Sequence, residues 1–268
     1  MRLDIAQITG IGDRQTNQDA LASAIEDDLA CFVLADGTGG HEGGELAAHL
    51  VTDSIIGKFL QEASFSTRAL RSYVDWAIHQ VAQRKLGNIQ QQQMSATVAT
   101  LLIDQSNRCA LWGHLGDSRI YLFRNSKIIG VSKDHSQAQR MVDAGYAEYD
   151  LLRQHPQRSV LFAAIGAEGD SSPEVTLEAT ALQDGDAFLL CSDGLWEWVF
   201  ENEMEQVLGW ACNADAWLNE MILIAERHNK AGNVGRDNFS AFAILVQDGS
   251  AASAVDVAEH SVHHESAQ

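Results

Sequence analysis

Proline is scarce in this chain. Only Pro156 and Pro173 occur among 268 residues, and no Pro-rich or Ser-rich linker divides the sequence. A chain of this length with 46% hydrophobic residues can bury a sizeable core. We therefore expect one folded domain over residues 1–247, with no second domain behind a linker.

Long apolar runs and a basic N-terminal block are also missing. No stretch approaches the about 20 apolar residues needed to span a bilayer, and residues 1–10 lack the pattern of a secretory signal. The sequence predicts a cytoplasmic protein without membrane insertion, and we expect a monomer. None of the four cysteines forms a CxxC pair, which argues against a zinc site or a disulfide framework.

Basic residues are few. The chain has 18 Lys and Arg against 37 Asp and Glu, which gives a formal net charge of -19. Because nucleic-acid binding needs a basic surface, this balance argues against a nucleic-acid partner. Solubility alone accounts for most of the acidic excess, but it does not explain why aspartates stand beside glycines at the ends of apolar runs.

Apolar runs of strand length lie along most of the chain, for example at residues 29–34, 187–191 and 239–246. Apolar stripes with helical spacing cover 46–59, 70–81 and 217–225. The strands occur in neighbouring groups and the helices in pairs. This order predicts an α+β fold, a central antiparallel β-sandwich with helices on both outer sides. Residues 248–268 are small, polar and acidic, and we expect them to form a disordered tail.

Five aspartate-bearing turns adjoin the strand-like runs. One such turn alone is an ordinary local signal. If the five converge, however, their carboxylates can all stay ionised only beside a cation, and Mg²⁺ or Mn²⁺ prefers such all-oxygen sites. Two of these ions lower the pKa of a bridging water and bind a phosphoryl oxygen, so the pattern predicts hydrolysis of a phosphate ester. The turns are Asn17-Gln18-Asp19, Asp36-Gly37, Gly116-Asp117-Ser118-Arg119, Asp193-Gly194 and Asp237-Asn238.

The loop at residues 36–44 is rich in glycine, but it has neither the Gly-Lys-Ser/Thr ending nor the fingerprint of a nucleotide-binding loop. Its glycines allow the backbone to approach a metal closely enough for a carbonyl to bind. We interpret His41 in this loop as the proton donor to a leaving alkoxide, the alternative being a structural histidine. Arg14 is a candidate phosphate ligand, the alternative being a surface arginine.

Six motifs follow one another along the chain: GDRQTNQD at 12–19, LADGTGGH at 34–41, GDSR at 116–119, KDHS at 133–136, LCSDGL at 190–195 and GRDN at 235–238. In this order they resemble the motifs of the metal-dependent protein phosphatases of the protein phosphatase 2C family, in their bacterial form. The resemblance spans nearly the whole chain. It implies a β-sandwich flanked by helices, with two divalent ions at one end and a variable flap at residues 145–172.

The resemblance also implies roles for individual residues. Asp36 would bridge both ions and the Gly37 carbonyl would bind one of them, while Asp193 and Asp237 would bind the other. Asp117 matches the acid that holds a third ion with Asp193 in bacterial members, and Asp19 would hold metal-bound water. By the same match Arg14 binds phosphate and His41 is the general acid.

The chain departs from the family pattern at Gln18, where the family usually has a glutamate that supports the water shell of one metal. We therefore expect a lower metal affinity here. Ser95-Ala96-Thr97 and residues 163–166 also differ from the usual motifs, but neither change removes a metal ligand.

These observations predict a Mn²⁺- or Mg²⁺-dependent phosphatase that acts on phosphoserine and phosphothreonine proteins and opposes a Ser/Thr kinase. The segment 155–166 is similar to that of bacterial members linked to type VI secretion, where the kinase acts on a forkhead-associated protein. Two alternatives stay open: a non-catalytic phosphoprotein-binding module on the same fold, which Gln18 favours, and a phosphatase for small phosphometabolites.

Overall fold

The computed structural model describes residues 1–38, 43–87, 91–168, 172–232 and 235–248. The predicted tail beyond Asp248 and the candidate acid His41 lie outside the described residues. Among the described residues, no helix is both long enough and apolar enough to cross a bilayer.

Two antiparallel sheets form the centre of the molecule. One has the strand order β1-β12-β11-β7-β8, and the other has the order β10-β6-β5-β3-β2, with β4 beside β3 and β9 beside β6. The strands are β1 Arg2–Gly10, β2 Asp19–Glu26, β3 Leu29–Thr38, β4 Ser95–Ala96, β5 Val98–Asp104, β6 Cys109–Leu115, β7 Arg119–Arg124, β8 Lys127–Val131, β9 Glu174–Val175, β10 Thr180–Ala181, β11 Ala187–Cys191 and β12 Phe239–Gln247.

Helices cover both outer faces of the sandwich. The pair α1 and α2 packs on the sheet that contains β3, whereas α5 and α6 pack on the sheet that contains β12. The helices are α1 Gly43–Glu62, α2 Thr67–Gly87, α3 Gln137–Asp143, α4 Asp193–Trp196, α5 Glu201–Leu208 and α6 Ala214–Gly232, and a 3-10 helix covers Tyr149–Gln154. The predicted α+β sandwich is confirmed, including its three amphipathic helices.

Alternation along the strands divides the core into three layers. In β3, Phe32 and Leu34 face the opposite sheet, while Cys31 and Val33 face α1 and α2. Between the sheets, the rings of Phe32 and Phe242 meet edge to face with centroids 5.5 Å apart. Each such fully buried side chain contributes about 1.5–3 kcal/mol to folding. Both faces of β3 are covered, which is why its sequence is almost continuously apolar.

The strand ends that carry aspartates meet at one end of the sandwich. Asp19 opens β2 and is paired in register with Asp36 near the end of β3. The chain between β6 and β7 supplies Asp117, β11 ends two residues before Asp193, and β12 begins two residues after Asp237. The antiparallel pairing of these strands therefore brings together residues that are separated by more than 200 positions in the sequence.

Two of the segments predicted as turns, Asp36-Gly37 and Asp193-Gly194, form regular secondary structure. The strand β3 continues to Thr38 because Gly37 and Thr38 pair with Ala96 and Ser95 of β4. Asp193 is the first residue of α4, since the chain enters a short helix directly after β11. The carboxylate of Asp193 thus lies at a helix N-terminus, where the exposed N–H groups favour negative charge.

Candidate metal centre

A cavity of about 440 Å³ lies at this end of the sandwich. The predicted residues that line it are Arg14, Gln18, Asp36, Gly37, Asp117, Asp193 and Asp237. The structure therefore brings together seven of the nine candidate residues of the sequence analysis. Asp19 lies behind the cavity wall, and His41 is outside the described residues.

The main chain of Asp36 forms two hydrogen bonds with Thr97. Its N–H donates to Thr97 Oγ1 at 3.0 Å, and its carbonyl accepts from the Thr97 N–H at 2.8 Å. Shielding from bulk water raises the pKa of Asp36 well above its ordinary value, and the nearby carboxylates of Asp19 and Asp193 raise it further. An anionic Asp36 thus requires a compensating cation.

Gly37 occupies a position that admits no side chain. A Cβ there would lie 2.2 Å from the carbonyl oxygen of Gly44 at the start of α1. Its N–H donates to the Gln18 carbonyl at 3.0 Å, which joins the loop before β2 to β3. The glycine therefore allows three backbone segments to meet at the cavity wall.

Asn238 ties the segment containing Arg14 to the start of β12. Its Oδ1 accepts from the Gln18 N–H at 2.9 Å, and its Nδ2 donates to the carbonyls of Ile11 and Thr16 at 2.8 and 2.9 Å. Asn238 belongs to the GRDN motif at 235–238, but its role is not evident from sequence. Its three contacts fix the segment that carries Arg14 and Gln18 relative to Asp237.

Asp19 is buried behind the cavity. Its Oδ2 accepts from the Ser192 hydroxyl at 2.8 Å, while its Oδ1 has no hydrogen-bond partner among the described residues. Burial raises the pKa of Asp19 to about 6, although the hydrogen bond from Ser192 lowers it. An unpartnered buried carboxylate oxygen is costly unless water or an ion binds it.

Asp117 and Asp193 form the other wall of the cavity. Burial raises the pKa of Asp117 to about 7, and the charge of Asp134 adds to this effect. For Asp193, burial and then the charge of Asp117 raise the pKa well above its ordinary value. The charge of Asp117 therefore makes ionisation of Asp193 less favourable, and a cation bound between them would relieve this repulsion.

Two arginines also line the cavity. Arg14, which is 59% exposed, lies with its Nη2 2.5 Å from Asp237 Oδ2. Arg158 pairs through two nitrogens with Glu197, and its Nη2 lies 3.0 Å from Glu197 Oε2. Neither residue was assigned a role in the site from sequence: Arg158 falls within the segment 155–166 and the predicted flap, whereas Glu197 stands in none of the six motifs.

The donor set fits hard divalent cations. The lining holds five carboxylates and two guanidinium groups, so its formal charge is -3 when all seven are ionised. A phosphate dianion would be repelled by this surface, whereas two divalent cations would make the lining net positive. Carboxylate and carbonyl oxygens are also the ligands that Mg²⁺ and Mn²⁺ prefer.

A second cluster of potential ligands, His114, His135 and Glu174, lies outside this cavity. His135 Nδ1 accepts from the Gly116 N–H at 3.0 Å, so the neutral ring carries its proton on Nε2, which faces Glu174 Oε1 at 3.3 Å. His114 donates Nε2–H to the Lys133 carbonyl at 2.7 Å. The two rings are stacked with planes 5° apart, so their lone pairs do not converge. We therefore interpret this cluster as structural.

Comparison with known proteins agrees with the geometry. Residues 9–231 match the family model described as protein phosphatase 2C. The chain belongs to the protein phosphatase 2C family. A putative protein phosphatase 2C-type protein of Streptococcus pyogenes is 27% identical over 241 residues, which cover 87% of this chain and 95% of the relative.

Solved structures of the family share the fold. The serine/threonine phosphatase PstP/Ppp of Mycobacterium tuberculosis is 26% identical with a TM-score of 0.79, covering 92% of this chain and 99% of that one. A PstP catalytic domain in complex with two manganese ions is 24% identical with a TM-score of 0.77, covering 92% and 99%. PppA, described as a key regulatory component of type VI secretion in Pseudomonas aeruginosa, is 25% identical with a TM-score of 0.71, covering 91% and 98%.

Proposed function

We propose that this chain is a metal-dependent serine/threonine phosphoprotein phosphatase that hydrolyses phosphomonoesters. The observation that carries the proposal is the convergence of Asp36, Asp117, Asp193 and Asp237 with Arg14 around one cavity. Membership of the protein phosphatase 2C family and the names of its relatives as serine/threonine phosphatases support it. We propose that residues 1–247 form the catalytic domain, with residues 145–172 as its flap.

The metal would be held by oxygen ligands from five chain segments. Asp36 and the Gly37 carbonyl would hold one Mn²⁺ or Mg²⁺ ion, and Asp193 and Asp237, with Asp36, would hold a second. Asp117 would hold a third ion together with Asp193, and Asp19 and Gln18 would support the water shell. When bound, such ions lower the pKa of a water and offset the charge of a phosphoryl group.

The side chains contribute binding and proton transfer. Arg14 has a planar guanidinium that suits two phosphoryl oxygens, and its exposed position at the cavity mouth is accessible to a protein substrate. His41 is our proposed donor of a proton to the leaving serine or threonine oxygen. The overall reaction consumes one water and releases an alcohol side chain and inorganic phosphate.

A partner Ser/Thr kinase is part of the proposal, since a phosphoprotein phosphatase needs a source of phosphorylated substrate. The likeness to PppA and the segment 155–166 support a setting in type VI secretion, with a forkhead-associated protein as one substrate. We further propose that these substrates are cytoplasmic. Incubating phosphorylated forkhead-associated protein with the enzyme, and measuring phosphate loss by mass spectrometry, tests this setting.

The central test is the variant Asp36→Ala. Wild-type protein should release phosphate from phosphothreonine peptides only with Mn²⁺ or Mg²⁺, and Asp36→Ala should reduce the rate at least about 10³-fold because it removes a shared metal ligand. Asp53→Asn, an exposed change on α1, is the matched control and should retain the rate. Full activity of Asp36→Ala would overturn the metal assignment. Absence of turnover by wild type at saturating metal would instead favour the non-catalytic module.

Substrate class can be tested separately. Phosphopeptides and sugar phosphates should be compared at equal concentration, with p-nitrophenyl phosphate as a reference. We expect higher kcat/KM on phosphopeptides, because an exposed Arg14 and an open cavity mouth suit a polypeptide. Higher kcat/KM on sugar phosphates would establish the phosphometabolite alternative.

A further inference from the structure

Trp196 connects the two chain segments that carry Asp117 and Asp193. It is the last residue of the four-residue helix α4, and Asp193 is the first. The buried indole donates from Nε1 to the backbone carbonyl of Asp117 at 2.9 Å. One short helix thus carries a cavity carboxylate at its start and holds the backbone beside another at its end. The position of Trp196 therefore bears directly on the spacing between Asp117 and Asp193.

Two guanidinium groups hold the indole ring. The Arg119 Cζ lies 3.6 Å from its centroid, and the Arg153 Cζ lies 5.5 Å from it. Arg119 is itself fixed by a buried pair of hydrogen bonds, each 2.8 Å long, to the two carboxylate oxygens of Asp134. Cations over the face of a tryptophan are attracted by its ring quadrupole, most strongly where water is excluded.

Arg153 belongs to the segment that we assign as the flap. It lies in the 3-10 helix Tyr149–Gln154, and its neighbour Leu152 is buried in the core beneath α5 and α6. The Arg153 Nη2 is 2.5 Å from Glu201 Oε2 at the start of α5. Its Nη1 has no hydrogen-bond partner among the described residues, so Glu201 and the aromatic faces order the guanidinium.

These contacts form a continuous path from the flap segment to the metal centre: Glu201 fixes Arg153, Arg153 lies over Trp196, and Trp196 holds the Asp117 backbone. We propose that Trp196 and Arg153 are positioning residues that keep Asp117 at the separation from Asp193 required to bind a divalent cation. The inference rests on the proposed function, in which both carboxylates bind Mn²⁺ or Mg²⁺. Partners that orient metal ligands typically account for about 10- to 100-fold in metal affinity.

Two variants and one control test the proposal in the full-length chain. Trp196→Phe keeps an aromatic ring but removes the N–H donor to Asp117, and Arg153→Gln removes the charge that pairs with Glu201. Arg140→Gln is the control, because Arg140 stacks on Phe162 at 3.5 Å and makes no contact that joins it to Trp196 or Glu201 among the described residues.

The measurement is a calorimetric titration of Mn²⁺ into metal-stripped protein. Both variants should weaken, by about tenfold or more, the same Mn²⁺ equivalent that Asp117→Asn weakens, and Arg140→Gln should leave the isotherm unchanged. In the Asp117→Asn background, Trp196→Phe should have no further effect on that equivalent. Urea unfolding without metal identifies a merely structural role, which would lower stability without changing Mn²⁺ binding by the folded protein.

An unchanged isotherm for folded Trp196→Phe and Arg153→Gln, or an equal loss in Arg140→Gln, would overturn the inference. If Trp196→Phe fails to fold, the Arg153→Gln isotherm decides alone. Wild-type protein that binds no Mn²⁺ would contradict the proposed function itself, so the two failures can be told apart.

Discussion

The hydroxyl oxygens of Thr97 and Ser118 lie 2.7 Å apart in a hydrogen bond that is closed to solvent. Thr97 Oγ1 also accepts from the N–H of Asp36 at 3.0 Å, and Ser118 directly follows Asp117. A single hydroxyl therefore joins the two backbone segments that carry these carboxylates. Because both residues are buried, water cannot replace Thr97 as the partner.

Thr97→Val tests this link. Valine has nearly the same shape, so the change removes the oxygen and leaves the Asp36 N–H and the Ser118 hydroxyl without their partner. Each unsatisfied buried group costs about 1–3 kcal/mol, so we expect the free energy of unfolding to fall by at least about 2 kcal/mol. Urea unfolding measures this change, and a Mn²⁺ titration should show weaker binding.

The control is Thr100→Val in the same strand region. Thr100 is equally buried, but its Oγ1 lies beside the thiol of Cys31, which is only a weak hydrogen-bonding group, and has no other hydrogen-bond partner among the described residues. Removing that hydroxyl should leave stability unchanged or improve it. Equal losses in the two variants would show that the Thr97 hydroxyl has no special role.

Replacing Gly194 or Gly57 by alanine should change stability in opposite directions. A Cβ on Gly194 would lie 2.0 Å from the Asn238 carbonyl oxygen, whereas one on Gly57, inside α1, meets nothing within 4 Å. Gly194→Ala must push α4 away from β12 and should destabilise by about 1–3 kcal/mol. Gly57→Ala should stabilise by about 0.5–1 kcal/mol, because it reduces the entropy lost on folding.

Thermal unfolding and phosphatase assays distinguish these two outcomes. Gly194→Ala should also lose most activity, since Asp193 and Asp237 flank the displaced contact. Gly57→Ala should keep full activity, because a Cβ at this partly exposed position meets no neighbouring atom and displaces nothing. Normal activity of Gly194→Ala would mean that the contact between α4 and β12 does not set the spacing of the carboxylates.

The convergence of Asp36, Asp117, Asp193 and Asp237 was predictable from sequence, because each stands next to an apolar run and antiparallel strands bring such ends together. The sandwich was also predictable from sequence, because apolar residues recur with different periods in its strands and in its amphipathic helices. The supporting contacts of Thr97, Trp196 and Asn238 were not predictable. Each of these side chains forms hydrogen bonds with residues that are distant in the sequence, mostly with their backbone atoms. No local sequence pattern indicates such pairings.

Local helix formation at Asp193 was also missed. The Asp-Gly pair is typical of a turn, yet the residues after it, which include Leu195 and Trp196, bury apolar side chains against β11 and β12. Tertiary packing thus outweighs the turn preference of the dipeptide. The half-buried ion pair of Arg153 and Glu201 is likewise a tertiary contact, which sequence spacing alone does not indicate.

The raised carboxyl pKa values predict that metal-free protein loses stability as pH rises. Burial raises the pKa of Asp117 from 3.8 to about 7, and that of Asp19 from 3.8 to about 6. The folded chain therefore holds more protons than the unfolded chain above about pH 4, so its stability falls until pH passes the folded pKa values. The urea midpoint in EDTA should thus decrease between about pH 5 and pH 7.5.

Asp117→Asn should flatten this dependence, because it removes one titrating group, and Asp53→Asn on exposed α1 should retain the wild-type slope. Saturating Mn²⁺ should offset the decline, because a cation favours the ionised carboxylates. A wild-type slope in Asp117→Asn would show that this carboxyl does not titrate in the stated range.

Gln18 provides the last prediction, since it lines the cavity at a position where the family usually has glutamate. Gln18→Glu adds a carboxylate of nearly the same size to the metal-facing wall. Because opposite charges attract more strongly where water is partly excluded, we expect Mn²⁺ to bind about tenfold more tightly by calorimetry. Gln18→Ala, which adds no charge, should not tighten binding. If Gln18→Glu binds Mn²⁺ no better than wild type, the side chain at this position does not contribute to the water shell of the metal.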